Sequence, residues 1–457
     1  MIAAEASSDP AGNPLPVLPW GARRLSLPRQ VGTTAHLCVL YPFAVEAGLG
    51  AHGALLGLDR LAGGGAFCFD LFEAYQAGLV QGPNMLVCGA GAYGKSAVVK
   101  SYLYRSSILT HGRRRFVAVV DPKGEWVPLA HLLGWAVLTL RPGGRTRINP
   151  LDPGPAGTAG SDGDVPAHRT AVAATLLAIG LGVPELPASQ RRLLGVATRH
   201  LGRQEASPTL ADLQAVLAHP GRGLASDLDT TEDELLDRRR PLLDACALLV
   251  EHELRGIADG PATVDLDWER LPGLVLDLSA LLSNRKALRL VLTAAAGWLQ
   301  SVMYRLADRY KLTVIDEGWA ALDDLAIVRF LQDQWRLGRQ WGCANILITH
   351  ALADLSSQTD DHTAHGKIAE GLLNTTSVRV YLHQQPEQVG RLLADMGLTG
   401  TEAALLPNLA PLQALWKIGA HTALVDHLID DTEWSFCDTD AAMTGRPVTR
   451  HSPESAL

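Results

Sequence analysis

Eight consecutive residues constrain this chain more than any other feature. Gly89-Ala90-Gly91-Ala92-Tyr93-Gly94-Lys95-Ser96 satisfies GxxxxGK(S/T) at every defined position. The apolar run 84–88 before it suits a buried strand, and SAVVKSYLYRSS after it has helical spacing. A second apolar run, 116–120, ends at Asp121. Strand, glycine loop, helix and strand in that order form a βαβ unit, which demands a parallel sheet with helices on its faces. The chemistry explains the spacing. Glycines let successive backbone N–H groups point into one concavity and hold phosphate oxygens. The following helix adds its positive N-terminal end. Lys95 then reaches the β- and γ-phosphates, and the Ser96 hydroxyl is placed to ligate Mg²⁺. Candidate nucleotide contacts are Gly89, Ala90, Gly91, Ala92, Tyr93, Gly94, Lys95, Ser96 and Ala97. For Tyr93 two readings stand: stacking on a base, or covering the loop.

A phosphate loop needs an acid to hold the metal. The run Leu312-Thr313-Val314-Ile315 reads as a strand and ends in Asp316-Glu317. Asp316 at the strand's C-terminal edge is the candidate metal ligand, and Glu317 the candidate general base for an attacking water. Lys95 and Asp316 lie 221 positions apart. Residues 165–265, rich in Ala, Leu and Arg, account for the excess as an inserted helical subdomain. The expected layout is a lead-in and small β-rich lobe over 1–80 and the first part of the core over 81–164. The insertion follows over 165–265, then the second part of the core over 266–435 and a tail over 436–457.

Composition narrows the function classes. Forty Lys+Arg against 48 Asp+Glu give a net charge of −8, so no general basic surface announces nucleic acid. With 47% hydrophobic and 19% charged residues, the chain is core-forming rather than disordered. The six cysteines are scattered without a CxxC pair, which argues against a zinc site or a disulfide framework. His362 and His365 lack a third ligand nearby and read as solvated loop residues. Arg113-Arg114-Arg115 reads as a solvated turn. The tryptophans at 126, 135, 298, 319, 335 and 341 read as core or rim. No run of about 18 uncharged apolar residues occurs, and MIAAEASSDP lacks the apolar stretch of a signal peptide. A cytoplasmic chain is expected, with any peripheral attachment to the inner face of the cell membrane made through a partner.

Further motifs carry a resemblance. Asp121-Pro122-Lys123-Gly124-Glu125-Trp126 resembles the DPKGE signature of the FtsK–HerA superfamily of motor ATPases. RINPLD at 147–152 resembles the NP(F/L)D element of conjugation ATPases. VIDEGW at 314–319 is similar to the VIDEAW of VirB-four/TraC-type ATPases of type IV secretion, and Arg339 stands ten residues before Thr349 as in that class. FCDTDAAM at 436–443 is similar to its closing stretch. The resemblance spans roughly 80–435 in consistent order. Two positions depart from it: His350 stands where the class has Gln, and Gln340 where it has Lys. About eighty residues precede the loop, so the long N-terminal domain of these ATPases is almost absent.

The resemblance implies an α/β fold with a RecA-like P-loop NTPase core and a mainly parallel sheet. It implies ATP and Mg²⁺ as cofactors, with Asp121 and Lys123 at the nucleotide and Thr349 at the sensor position. It further implies a homo-oligomeric ring, six being one admissible count, completed by a trans arginine for which Arg339, Arg336 and Arg379 are candidates. Secretion or conjugation channel components would be its partners, and DNA is admitted but not required. The leading expectation is a Mg-dependent ATPase powering conjugative or type IV secretion-like transfer. A DNA-translocating motor or coupling protein is the alternative, and a non-hydrolysing scaffold the third.

Overall fold

The computed structural model describes residues 48–109, 115–152, 165–220, 230–264, 266–306, 309–318, 325–349, 375–387 and 397–438, with 224, 227, 228, 371 and 389. Eleven strands form one sheet: β1 (Ala54–Asp59), β2 (Gly65–Phe69), β3 (Asn84–Cys88), β4 (Arg115–Asp121), β5 (Ala136–Thr139), β6 (Gly273–Asp277), β7 (Tyr310–Ile315), β8 (Cys343–Thr349), β9 (Val378–Tyr381), β10 (Gln413–Ile418) and β11 (His421–His427). Their order is β2-β1-β11-β10-β9-β3-β8-β7-β4-β6-β5. From β9 to β5 every pairing is parallel, and from β9 outward through β10, β11, β1 and β2 every pairing is antiparallel.

The helices are α1 (Leu71–Gln76), α2 (Lys95–Leu109), α3 (Val127–Leu133), α4 (Val165–Leu181), α5 (Ala188–Gln204), α6 (Leu210–Ala218), α7 (Glu232–Leu248), α8 (Arg285–Arg305), α9 (Leu325–Leu337), α10 (Gly400–Leu405) and α11 (Asp431–Cys437). The central strands are continuous apolar runs because both faces are covered. Side chains alternate between faces along a strand. Leu86 and Cys88 therefore join the core under α4–α9, while Met85 and Val87 join the core under α1, α2, α3 and α11. The helical block α4–α7 shares a continuous core with its sheet face through Leu176, Leu193 and Leu242. This is the α/β architecture, a parallel sheet with helices on both faces, that the βαβ order implied.

The N-terminal β-rich segment consists of β1 and β2, hydrogen-bonded onto the antiparallel side of the main sheet through β11. The strand β5 escaped the sequence reading, because four residues at a sheet edge leave too short a pattern. Arg115 departs from the solvated-turn expectation. Its guanidinium pairs with Asp70 at 2.7 Å and lies 5.2 Å from the centroid of the Phe72 ring, while Asp70 also caps α1. Arg113, Arg114, Trp319, His350, His362, His365 and residues 439–443 of the closing stretch lie outside the described residues. Trp126, Trp135, Trp298 and Trp335 are buried as expected. Among the described residues, no helix is long and apolar enough to cross a membrane.

Candidate nucleotide site

The glycine loop leaves the C-terminal end of β3, a central strand flanked by β8 and β9. It continues the sheet's bonding for a step: Leu382 N donates to Cys88 O at 2.9 Å, and Ala90 N to His383 O at 2.8 Å. Gly89 sits so close to Leu382 that a Cβ would come within 2.7 Å of its Cβ. Ala92 and Gly94 take positive φ, 62° and 91°, which turns the loop's amides inward. Tyr93 stacks face to face on His383 with centroids 4.1 Å apart. One face of its ring is thereby occupied.

Lys95 opens α2 and is buried. Its ammonium donates to Ala90 O at 2.9 Å, curling back over the loop. Burial lowers its pKa to about 8, against the opposing pull of Glu317 and Asp316. The two distant motifs thus converge. Ser96 Oγ lies 3.5 Å from Asp316 Oδ1, although 220 positions separate them. The cause is topological: β7 joins β3 through β8, and all three strands end on the same side.

The 121–126 segment supports those acids. Asp121 is buried, and its carboxylate accepts from the amides of Lys123, Gly124 and Trp126 at 2.8 to 3.1 Å. Burial, with Asp316 nearby, still pushes it up to about 6. Trp126, fully buried, donates from its indole to Asp316 Oδ2 at 2.7 Å. Lys123 pairs with Glu317 at 2.5 Å. Burial would lower the Lys123 pKa, but the bond from Glu317 holds it above the ordinary lysine value. Glu317 itself adopts φ 52°, a strained conformation for a non-glycine residue and one that collects at functional sites. Ser96 and Asp316 are oxygen donors of the kind that a small hard divalent cation takes, so they fit Mg²⁺.

Thr349 ends β8 beside Cys88, fully buried, and among the described residues its Oγ1 has no hydrogen-bond partner. A buried hydroxyl left unpaired costs free energy until a ligand meets it. Arg339 is not brought to this site. It precedes β8, and its Nη1 donates to Gln81 O at 3.0 Å, below the start of β3. A seven-residue strand spans about 20 Å, so Arg339 lies far from its own chain's loop. Arg379 sits within β9, with Nε donating to Thr376 Oγ1 at 3.4 Å, and Arg336 is exposed on α9.

A cleft of about 890 Å³, part of it open to solvent, lies over the loop. Gly94, Lys95, Ser96, Lys123 and Glu317 form one side of it. Asp121, Thr349 and Arg339 do not line it. The fold can now be compared with known structures. VirB4 of Thermoanaerobacter pseudethanolicus superposes with a TM-score of 0.65 at 19% identity, over 85% of this chain and 99% of that one. Plasmid coupling protein TrwB in complex with the non-hydrolysable ATP analogue ADPNP gives 0.52 at 18% identity, over 76% and 86%. TrwB in complex with ADP and Mg²⁺ gives 0.51 at 17%, over 76% and 86%. The chain has the fold of VirB4 and TrwB. No protein-family profile matches the sequence, and no curated protein matches it.

Several residues of the site escaped the sequence reading. Lys100 is fully buried in α2, and its ammonium donates to Glu125 O at 2.8 Å and Phe436 O at 3.0 Å. It ties the 121–126 segment and α11 to the phosphate-loop helix. Leu412 adopts φ 65° and seats on the loop: a Cβ at Gly94 would come within 2.6 Å of Leu412 Cδ2, and Leu412 N donates to Tyr93 O at 3.2 Å. Buried His427 holds the Leu412 carbonyl at 2.8 Å through Nδ1 and accepts from the Trp416 indole at 3.1 Å. The one available signal was Lys100 itself, one of only seven lysines in the chain and one turn beyond Lys95.

Proposed function

We propose that this chain is a Mg-dependent ATPase that powers a conjugative or type IV secretion-like transfer machine. The observation carrying this reading is the convergence of the Lys95–Ser96 loop with the Asp316–Glu317 turn. The similarity in fold to VirB4, with nearly all of that chain covered, supports the choice of machine. TrwB, a coupling protein, overlaps less of this chain, and the DNA-motor alternative is correspondingly weaker.

In this reading the amides of residues 89–96 and the Lys95 ammonium hold the β- and γ-phosphates. Ser96 and Asp316 hold Mg²⁺, which when bound neutralises charge on the phosphate oxygens. Glu317 takes the proton of the attacking water, and Lys123 holds its carboxylate in place. Trp126 fixes Asp316. Thr349, at the end of β8 beside Cys88, is the sensor residue. Arg339, too far from its own loop, acts on a neighbour's nucleotide in a homo-oligomeric ring. Residues 165–265 are an insertion between the two parts of the core. The machine's channel components would hold the ring at the inner face of the cell membrane.

The test is Glu317→Gln. ATP affinity should stay within about threefold of wild type, while turnover falls by at least about 100-fold, the usual worth of a general base. Unchanged turnover would remove Glu317 from the mechanism, and absence of nucleotide binding in the wild type would end the ATPase reading.

A further inference from the structure

Besides the loop, Lys123, Glu125 and Glu317, the cleft has a wall made by Pro411, Leu412, Trp434, Cys437 and the charged Asp438. Trp434 is 41% exposed, whereas Trp126, Trp135, Trp298, Trp335 and Trp416 are nearly or fully buried. An exposed indole facing into a cleft has an unused aromatic face. Tyr93, the other aromatic at the loop, has one face occupied by His383 and does not line the cleft.

The wall is firmly built. Helix α11 runs antiparallel along α2. Arg105 and Ser101 hold the fully buried Glu433 with bonds of 2.6 to 2.8 Å, Lys100 holds Phe436 O, and Cys437 Sγ approaches Ala97 O at 3.7 Å. A capping box from Asp430 and Glu433 closes the helix start. Trp434 is thereby carried on a fixed element one turn from the end that meets the loop. On the same wall, Leu412 is kept in a left-handed conformation by the bonds of Tyr93 and His427. Trp434 lines the same cleft as the loop, so a nucleotide whose phosphates lie in the loop can bring its base to this wall.

Building on the nucleotide reading above, we propose that Trp434 is the stacking platform for the nucleobase, with Leu412 and Pro411 completing an apolar seat. Stacking on an aromatic face registers that a base is present and tolerates which base it is, since every base has a π-face. The seat therefore takes adenine and guanine nucleotides alike.

The experiment is calorimetric titration of the full chain, with Mg²⁺, by ATP, GTP and inorganic tripolyphosphate. Wild type should bind both nucleotides more tightly than tripolyphosphate. Trp434→Ala should weaken ATP and GTP by between about 5-fold and 150-fold, and leave tripolyphosphate within about twofold. Trp434→Phe should keep most of the nucleotide affinity. Equal loss for tripolyphosphate would mean that Trp434 merely supports the loop, and would overturn the proposal. So would unchanged ATP affinity in Trp434→Ala, or a wild type that binds ATP no better than tripolyphosphate; both would leave the phosphate site standing. A wild type that binds none of the three would overturn the nucleotide reading and the base seat with it.

Discussion

The buried ammonium of Lys95 makes nucleotide binding a proton-linked event. In the empty site its pKa is about 8, lowered chiefly by burial. Triphosphate oxygens favour the charged form, so a bound nucleotide should draw the pKa back to at least the ordinary lysine value of about 10.4. The terminal phosphate, with a second pKa of about 6, is already ionised above pH 7. Binding then takes up about 0.1 proton at pH 7, 0.5 at pH 8 and 0.9 at pH 9. The apparent Kd scales with the fraction of Lys95 that must first be protonated. It should rise about tenfold between pH 7 and pH 9, or about 1.4 kcal/mol. Calorimetry in buffers of different ionisation enthalpy reads the uptake directly. Lys95→Arg, always protonated, should abolish the slope whatever it does to affinity. A Kd flat across this range, or heats at pH 8 that do not depend on the buffer, would refute the reasoning. The sign for stability is opposite. The folded pKa lies below the unfolded one, so the unfolded chain binds more protons between about pH 8 and 10.4. The empty protein should therefore gain stability as pH rises through that window.

Two further outcomes follow from the geometry. Arg105 holds the buried Glu433 and donates to the carbonyls of Leu55 and Leu428. Arg105→Ala strips a buried carboxylate of its partner and should cost about 3 kcal/mol in urea unfolding, with ATP affinity falling as α11 loosens; an unchanged unfolding midpoint would contradict this account. Arg339→Ala removes one exposed bond to Gln81 O and should change stability by less than about 0.5 kcal/mol. If Arg339 completes a neighbour's site, the same variant should lower turnover by at least about 1,000-fold at protein concentrations where the wild-type rate per chain has risen to its plateau. Full activity there would exclude Arg339 as the trans residue.

Much of this protein was determined locally. The loop at 89–96 needs a glycine at 94, where φ is positive, one at 89, where Leu382 leaves no room for a Cβ, and flanking residues that make a strand and a helix. Those demands act over a few positions, so they are written in consecutive letters. The apolar runs that became β3, β4 and β7 were legible for the same reason, since strands covered on both faces have no polar side to interrupt them. The pairing of Lys95 with Asp316 and Glu317 followed from chemistry, because a triphosphate needs both a cradle and a metal ligand.

Tertiary structure decided the rest. That Lys123 meets Glu317 and Trp126 meets Asp316 depends on β4 lying beside β7, a neighbour relation that no local pattern encodes. That Arg339 stands a strand's length from the loop depends on the direction of β8 within the sheet. Above all, α11 and Leu412 come from the far end of the chain, and apart from the resemblance at 436–443 nothing in their sequence ties them to the loop. They became a wall of the site only when Lys100, Ser101 and Arg105 drew α11 along α2. Contacts between elements hundreds of residues apart are selected by packing and charge in the assembled fold, and a linear pattern does not record them.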